Sequence, residues 1–449
     1  MQDLIALWAS AVCVGAALLF YGLSLRANTP TDKTAFRIQL VYFSFYFVAA
    51  PLLHIAFNVF VELPVSSKEI SLAWLNVIHA VGLTAASMGA VVASRRKTVI
   101  QPAHSQVNWR GVRTASILGA IAGGLTFLWL WQTYGAALLV DRSEVDSQNS
   151  ASIFTYMLVE SVPLLCGWAY IAHTKINPKK RGALSFFVAL LSISLVAVVF
   201  SGTRGSRVAV IFQIVAFLLL YHKLVSNIRM RQVFVFIVMF GVFNNFYAIY
   251  KYDGMNAVLE YMSTGEKPDV VEKYSGTGQV LLQDLGRSDV AAVVFDRVRS
   301  DEYVAPNFPH TYLAGVQLLL PQPLRSEALL PKTVLGASAQ YSVPAEKNFS
   351  STRIYGPAAE AALNFGLWFV VPVFFLLGYV HKFCLNAALT SQSGTKVLFY
   401  PLFVLFPIFM VFYDFDNIVF SIVKSWAIPL IVYLNAAVSV TKIRQHASV

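Results

Sequence analysis

The sequence predicts an all-α polytopic integral membrane protein, with about eleven transmembrane helices (range roughly 10–13) and one long helical loop on the outer side. Three observations carry that prediction. Of the 449 residues, 57% are hydrophobic and 13% charged, and the mean hydropathy is +0.62. Many apolar runs reach the roughly 20 residues that cross a bilayer. The basic residues are also segregated along the chain. With the N-terminus outside and sides alternating, the inward segments hold 19 of the 34 Lys and Arg but, of the acids, only Asp32. That is the positive-inside pattern, so the pI near 9.4 is a topology signal and nucleic-acid binding is excluded as its cause.

The expected spans, in order, are residues 3–24, 38–61, 70–93, 114–134, 152–172, 183–201, 207–222, 232–250, 361–381, 397–413 and 417–438. The first begins MQDLIALW, without a basic leader or a cleavage site, and reads as a retained helix. Cys13, Cys166 and Cys384 fall in or beside apolar runs, which argues against disulfides and metal clusters. The organisation is therefore 1–250 with spans one to eight, 251–360 as the outer loop, and 361–449 with spans nine to eleven and a short inward tail.

The loop is too long to be a mere connection. Gly278–Val298 has helical period, with Val280, Leu281, Leu285, Val293 and Val294 on one apolar face. Thr311–Leu324 is apolar but too short to span, and Pro321 and Pro323 end it. Interfacial or re-entrant helices capping the bundle are expected. No P-loop, HExxH, GxSxG or Cys/His metal pattern occurs, so neither nucleotide nor metal is implied.

Several groups carry possible chemistry. In VVFSGTRGSRVAVIF, Arg204 and Arg207 stand with Gly202 and Gly205 at the outward turn between spans six and seven. Two guanidiniums, open backbone and a helix N-terminus suit a phosphate or pyrophosphate; snorkelling arginines on lipid phosphates are the plain alternative. Arg353 precedes Gly356 and Pro357 at the start of span nine, where Glu360 and Asn364 share a helix face. Asp284, Arg287 and Asp289 form a charged patch, His310 is the one outer-loop histidine, and Asp414 and Asp416 sit in a short outer turn where they bind, act as base or cap a helix. Within spans, His54, His79, Glu160 and Lys424 lie at similar depth, which points to a polar cavity, with Glu160 and Lys424 plausible as a pair. Trp129, Trp131, Tyr247, Tyr250 and Tyr252 read as an interface belt or a sugar-stacking surface.

The outward SGTRGSR, the loop stretch HTYLAGVQLLLPQPLRSEALLPKT and STRIYGPAAEAALNFG together resemble the bacterial O-antigen (oligosaccharide repeat-unit) polymerases, and more distantly the O-antigen ligases. The resemblance implies a glycosyltransferase of GT-C-like architecture in the bacterial inner membrane, with periplasmic N-terminus and active site and a cytoplasmic C-terminus. It implies no cofactor. Donor and acceptor would be glycans on undecaprenyl pyrophosphate, with membrane lipids and a chain-length regulator protein as partners. Carried onto matching positions, the pyrophosphate residues are Arg204, Arg207, Arg353 and Arg287; PQPLR leaves Arg325 an imperfect equivalent. Glu360, His310 and Asp414 are the candidate catalytic groups, and Asn364, Asp289, Tyr312, Asp416 and Tyr250 the candidate substrate contacts. A ligase, a polysaccharide transporter and a structural envelope subunit are the competing readings.

Overall fold

The computed structural model describes residues 2–27, 31–60, 67–95, 107–135, 153–178, 182–202, 207–228, 256–265, 282–320, 324–343, 355–391 and 394–446, with isolated positions at 232, 246, 247 and 249. Regular structure among them is all helical. Seven stretches are long and apolar enough to cross a membrane: Gln2–Arg26, Lys33–Ala56, Lys68–Ser94, Trp109–Thr133, Ala183–Ser201, Leu367–Thr390 and Phe415–Leu434. Val208–Leu224 and Lys396–Phe412 are shorter apolar helices. The expected eighth span, 232–250, lies outside the described residues apart from those isolated positions.

The chain divides into two compact units. The first comprises Met1–Gln101, Thr277–Thr390 and Phe403–Phe420. It holds α1 (Gln2–Arg26), α2 (Lys33–Ser44) continuing through a π-helical turn into α3 (Ala50–Ala56), and α4 (Lys68–Ser94). Helix α4 packs against α1 and against the span that starts at Leu367. At that second crossing the backbones nearly touch. A Cβ on Gly89 would meet the Phe375 carbonyl oxygen, and one on Gly378 the Ala86 carbonyl oxygen. Small residues let transmembrane helices approach this closely, since lipid tails give apolar side chains no net gain on association.

The second unit comprises Pro102–Gly276, Ser391–Leu402 and Ser421–Val449. Its helices are α5 (Trp109–Tyr134), α6 (Ile153–Ile176), α7 (Ala183–Ala197) and α8 (Arg207–Leu224). Helix α5 lies along α6, which also packs on α7 and α8. A π-helical turn, Val198–Gly202, prolongs α7 and sets Phe200 against Phe127, centroids 4.9 Å apart.

The helices of the long loop are divided between the units: 256–264 lies in the second, and those from Ser288 to Tyr341 lie in the first. Gly278–Val298 is not one helix: Leu282–Gly286 is a π-helical turn and α9 runs Ser288–Arg299. The first eight residues of α9 are all buried, packed by α3, α4 and later helices, while Arg299 at its end is exposed. Leu285 is only partly buried, while Val293 and Val294 are fully so. Helix α10 is His310–Gln317, shorter than the apolar run. Arg325 closes it from Nε to Leu320 O (3.0 Å) and Nη2 to Leu318 O (3.2 Å), ahead of the prolines. Helix α11 is Lys332–Tyr341.

The expected span 361–381 is also split. Helix α12, Gly356–Phe365, ends where Gly366 takes φ +81°, and a short 3-10 turn at Leu367–Phe369 leads into α13, Val370–Thr390. Glycine alone reaches that backbone region without strain, so the chain bends there. A 3-10 turn at Gly394–Phe399, α14 (Tyr400–Phe412) and α15 (Phe415–His446) complete the described chain.

Candidate functional site

The first unit gathers four helix starts. The first turns of α10, α11, α12 and α15 meet around the carboxylates of Glu360, Asp414 and Asp416. Helix starts leave N–H groups without helical partners and carry partial positive charge. Here side chains from neighbouring helices supply the acceptors. Asp414 Oδ1 accepts from Tyr355 N (2.8 Å) and Gly356 N (2.7 Å) at the head of α12. Glu360, on α12, returns the contact: its Oε2 accepts from Phe415 N (2.7 Å), at the head of α15. Asn364 Oδ1 takes Thr311 N (3.0 Å) at the head of α10. Gly356 has φ +76°, and a Cβ there would stand 2.8 Å from Tyr46 Oη, so the N–H that meets Asp414 comes from a position fit for glycine.

Lys332, at the first position of α11, is the counter-charge. Its Nζ lies 2.6 Å from Asp414 Oδ2 and 3.2 Å from Asp416 Oδ1. A lysine in a first turn opposes the helix dipole, and a buried one needs paired carboxylates. Burial works against its charge, but Asp414 and Asp416 outweigh that and hold the ammonium above its ordinary pKa. The sequence reading missed Lys332. Its partner is 82 residues away, and the only local signal is a lysine just after Pro331, at a helix start without an acid.

Glu360 is the group whose proton is most finely held. Thr311 Oγ1 donates to its Oε1 at 2.6 Å, while Asn364 Nδ2 donates to the same hydroxyl at 2.7 Å. Those bonds and the Phe415 N–H favour the carboxylate. Burial, aided by the negative charge of Asp414, outweighs them and pushes the carboxyl up to about 8. Helix α12 lies outside the stretches long and apolar enough to cross a membrane. A carboxyl that titrates near neutrality can take or give a proton at working pH.

The other expected residues are distributed around this centre. Tyr312 stacks edge-on against Phe415 at 5.5 Å; burial, with Glu360 and Asp414 adding, raises its phenol above the usual range. Its hydroxyl has no hydrogen-bond partner among the described residues. His310 adjoins Thr311, its Nδ1 3.4 Å from Leu330 N and its ring against Phe308. Arg287 holds its guanidinium 5.8 Å over the Phe412 ring, at the start of α9. Asp289 faces His54 Nε2 at 3.8 Å instead of the Glu360 cluster. Arg204, Arg353 and Tyr250 lie outside the described residues; so do Asp284 and Arg207 as side chains, although the backbone of Arg207 opens α8.

His54 and His79 are both buried within the first unit. His79 is enclosed by the rings of Tyr46, Phe47 and Phe374, because three large aromatics fill the space around it. In the second unit, Glu160 and Lys424 do pair, Oε2 to Nζ at 2.7 Å. Beside them Gln213 Nε2 donates to Glu160 O (2.9 Å) and Ser201 Oγ (3.0 Å). That network braces the helix end leading to Arg204. No cluster of three or more His, Cys, Asp or Glu able to hold a metal occurs among the described residues.

A scan against protein-family models found no match, and searches of curated proteins and of solved structures found none either.

Proposed function

We propose that the chain is a membrane glycosyltransferase that polymerises oligosaccharide repeat units carried on undecaprenyl pyrophosphate, at the outer face of a bacterial inner membrane. The observation that carries the reading is Glu360. It is a carboxyl raised to about 8, bonded to the Thr311 hydroxyl, on a helix too short to cross a membrane by itself that leads into one long and apolar enough to do so. The resemblance of the SGTRGSR and STRIYGPAAEAALNFG stretches to repeat-unit polymerases supplies the substrate class.

In this mechanism Glu360 takes the proton of an acceptor sugar hydroxyl. The oxygen attacks the anomeric carbon of the donor glycan, the bond from that carbon to pyrophosphate oxygen breaks, and undecaprenyl pyrophosphate leaves with inversion. By the resemblance, Arg204, Arg207, Arg353 and Arg287 stabilise the leaving charge in place of a metal. Asp414 and Lys332 position the heads of α11 and α12 and so fix the direction of Glu360.

The test is polysaccharide ladder length in a deletion strain complemented with wild type, Glu360→Gln or Arg207→Ala, with membrane levels of each protein checked by blot. Long ladders from wild type and single repeat units from both variants are expected. Full ladders from Glu360→Gln would remove the base assignment. A deletion strain with no surface glycan and accumulated lipid-linked material would favour ligation or transport.

A further inference from the structure

A second charged site lies far along the chain from the carboxylate cluster, in the first unit. A cavity of about 280 Å³ is lined by Arg26, Thr31, Lys33, Phe36 and Arg37. Three of those five residues are cations. Helix α2 carries Lys33 in its first turn and Arg37 one turn on, while its N-cap carboxylate, Asp32, is engaged by the first-turn N–H groups. Among the described residues of this stretch the acid is Asp32, which is buried, its Oδ1 accepting from Thr34 N (3.1 Å) and Ala35 N (2.9 Å). The carbonyl end of α1 is occupied as well, because Lys382 Nζ donates to Leu25 O. Arg26 is held over the Phe36 ring, 5.3 Å from its centroid, which fixes a guanidinium at the rim and leaves its N–H fork for a ligand.

We propose that this cavity binds a phosphate group, supplied by the headgroup of an anionic phospholipid. The size fits: ligand pockets for drug-sized molecules run from about 300 to 1,000 Å³, so this one takes a headgroup and not a sugar nucleotide. Charge segregation along the sequence assigns Arg26, Lys33 and Arg37 to the cytoplasmic side, where the leaflet is rich in anionic lipid. The site is independent of the polymerase reading, since it uses none of the residues that reading uses.

The experiment uses the full chain, purified in detergent and titrated with short-chain phosphatidylglycerol or phosphatidylcholine, with bound lipid counted by native mass spectrometry. Wild type should retain phosphatidylglycerol over phosphatidylcholine. Each cation contributes about fivefold near such a surface, so Arg26→Ala/Arg37→Ala should weaken phosphatidylglycerol binding about thirtyfold, and Arg26→Lys/Arg37→Lys should restore most of it. Equal retention by wild type and the alanine double variant overturns the proposal. Inorganic phosphate in phosphatidylcholine nanodiscs is the second arm: binding there, with no preference for phosphatidylglycerol, assigns the cavity to soluble phosphate and overturns the lipid source. Both side chains are exposed, so the variants should fold; Lys33→Ala offers an independent variant with the same expected direction.

Discussion

The two units handle buried charge in opposite ways. In the second, Glu160 and Lys424 meet side chain to side chain from positions inside two long helices. In the first, Asp414 and Lys332 also meet, but both stand at helix starts, and Asp414 takes two backbone N–H groups as well. Exchanging a buried ion pair for apolar side chains of similar volume is often neutral, whereas removing one partner is costly. The comparison therefore separates a pair that links helices by charge from one that also completes their backbone hydrogen bonding.

Removing one partner should give the largest effect. Asp414→Ala takes the nearer of two carboxylates from buried Lys332, leaving only Asp416, and removes the acceptor of the Tyr355 and Gly356 N–H groups, a loss of about 3 kcal/mol. Thermal unfolding in detergent should show it as a strongly lowered midpoint. The comparison breaks if the conservative double exchange Asp414→Leu/Lys332→Met is tolerated as well as Glu160→Leu/Lys424→Met. The expected result is a smaller loss in the second unit, because only Asp414 caps another helix.

Next in size is the pH response. Glu360 holds its proton more tightly in the folded chain than an ordinary carboxyl does, moving from 4.5 to about 8. The native state then binds the extra proton between those values, so this group's contribution is fully present below about 4.5 and is lost as pH rises to about 8. Wild type should therefore lose stability relative to Glu360→Gln across that window, in paired unfolding curves at pH 5 and 8. A constant difference between the two proteins would show that Glu360 is not held this way. Thr311→Val should follow, costing about 1–2 kcal/mol by removing the hydroxyl from Glu360 Oε1 and Asn364 Nδ2, and should move the pH window upward.

The residues that gave these contrasts were unequally legible in the sequence. Seven of the eleven expected spans have counterparts, among the described residues, long and apolar enough to cross a membrane, readable because about 20 apolar residues have few other uses, and the Glu160–Lys424 pair was readable because two ionisable groups inside spans invite pairing. Glu360 and Asn364 share a helix face, as their spacing of four predicts, and both turn to Thr311. The break at Gly366 was not readable. In AALNFGLWF a single glycine among apolar residues fits equally a continuous helix, and only the φ of +81° reveals the turn. The burial of α9 was hidden for a related reason: its Asp289, Asp296, Arg297 and Arg299 suggest a solvated face, yet the four residues Val290–Val293 and their neighbours are packed from several sides. The cross-capping of α12 and α15 is hidden too, since Asp414 and Gly356 are 58 residues apart and local caps usually come from the preceding residue.

The smallest expected effect concerns a charge that the first unit keeps at its surface. Arg325 is exposed, and its guanidinium caps the carbonyls of Leu318 and Leu320 just beyond α10. Cations suit a helix C-terminus, but an exposed bond of this kind contributes only about 0.5 kcal/mol. Arg325→Ala should thus shift the unfolding midpoint barely at all. It also separates two uses of arginine. An arginine that holds the pyrophosphate shortens polysaccharide ladders when removed, while one that closes a helix leaves them unchanged. Full-length ladders from Arg325→Ala beside single repeats from Arg353→Ala would place the anion site at the head of α12 and leave α10 with a structural cap. Short ladders from both would extend the anion site to the end of α10, where the geometry now shows only carbonyl partners for Arg325.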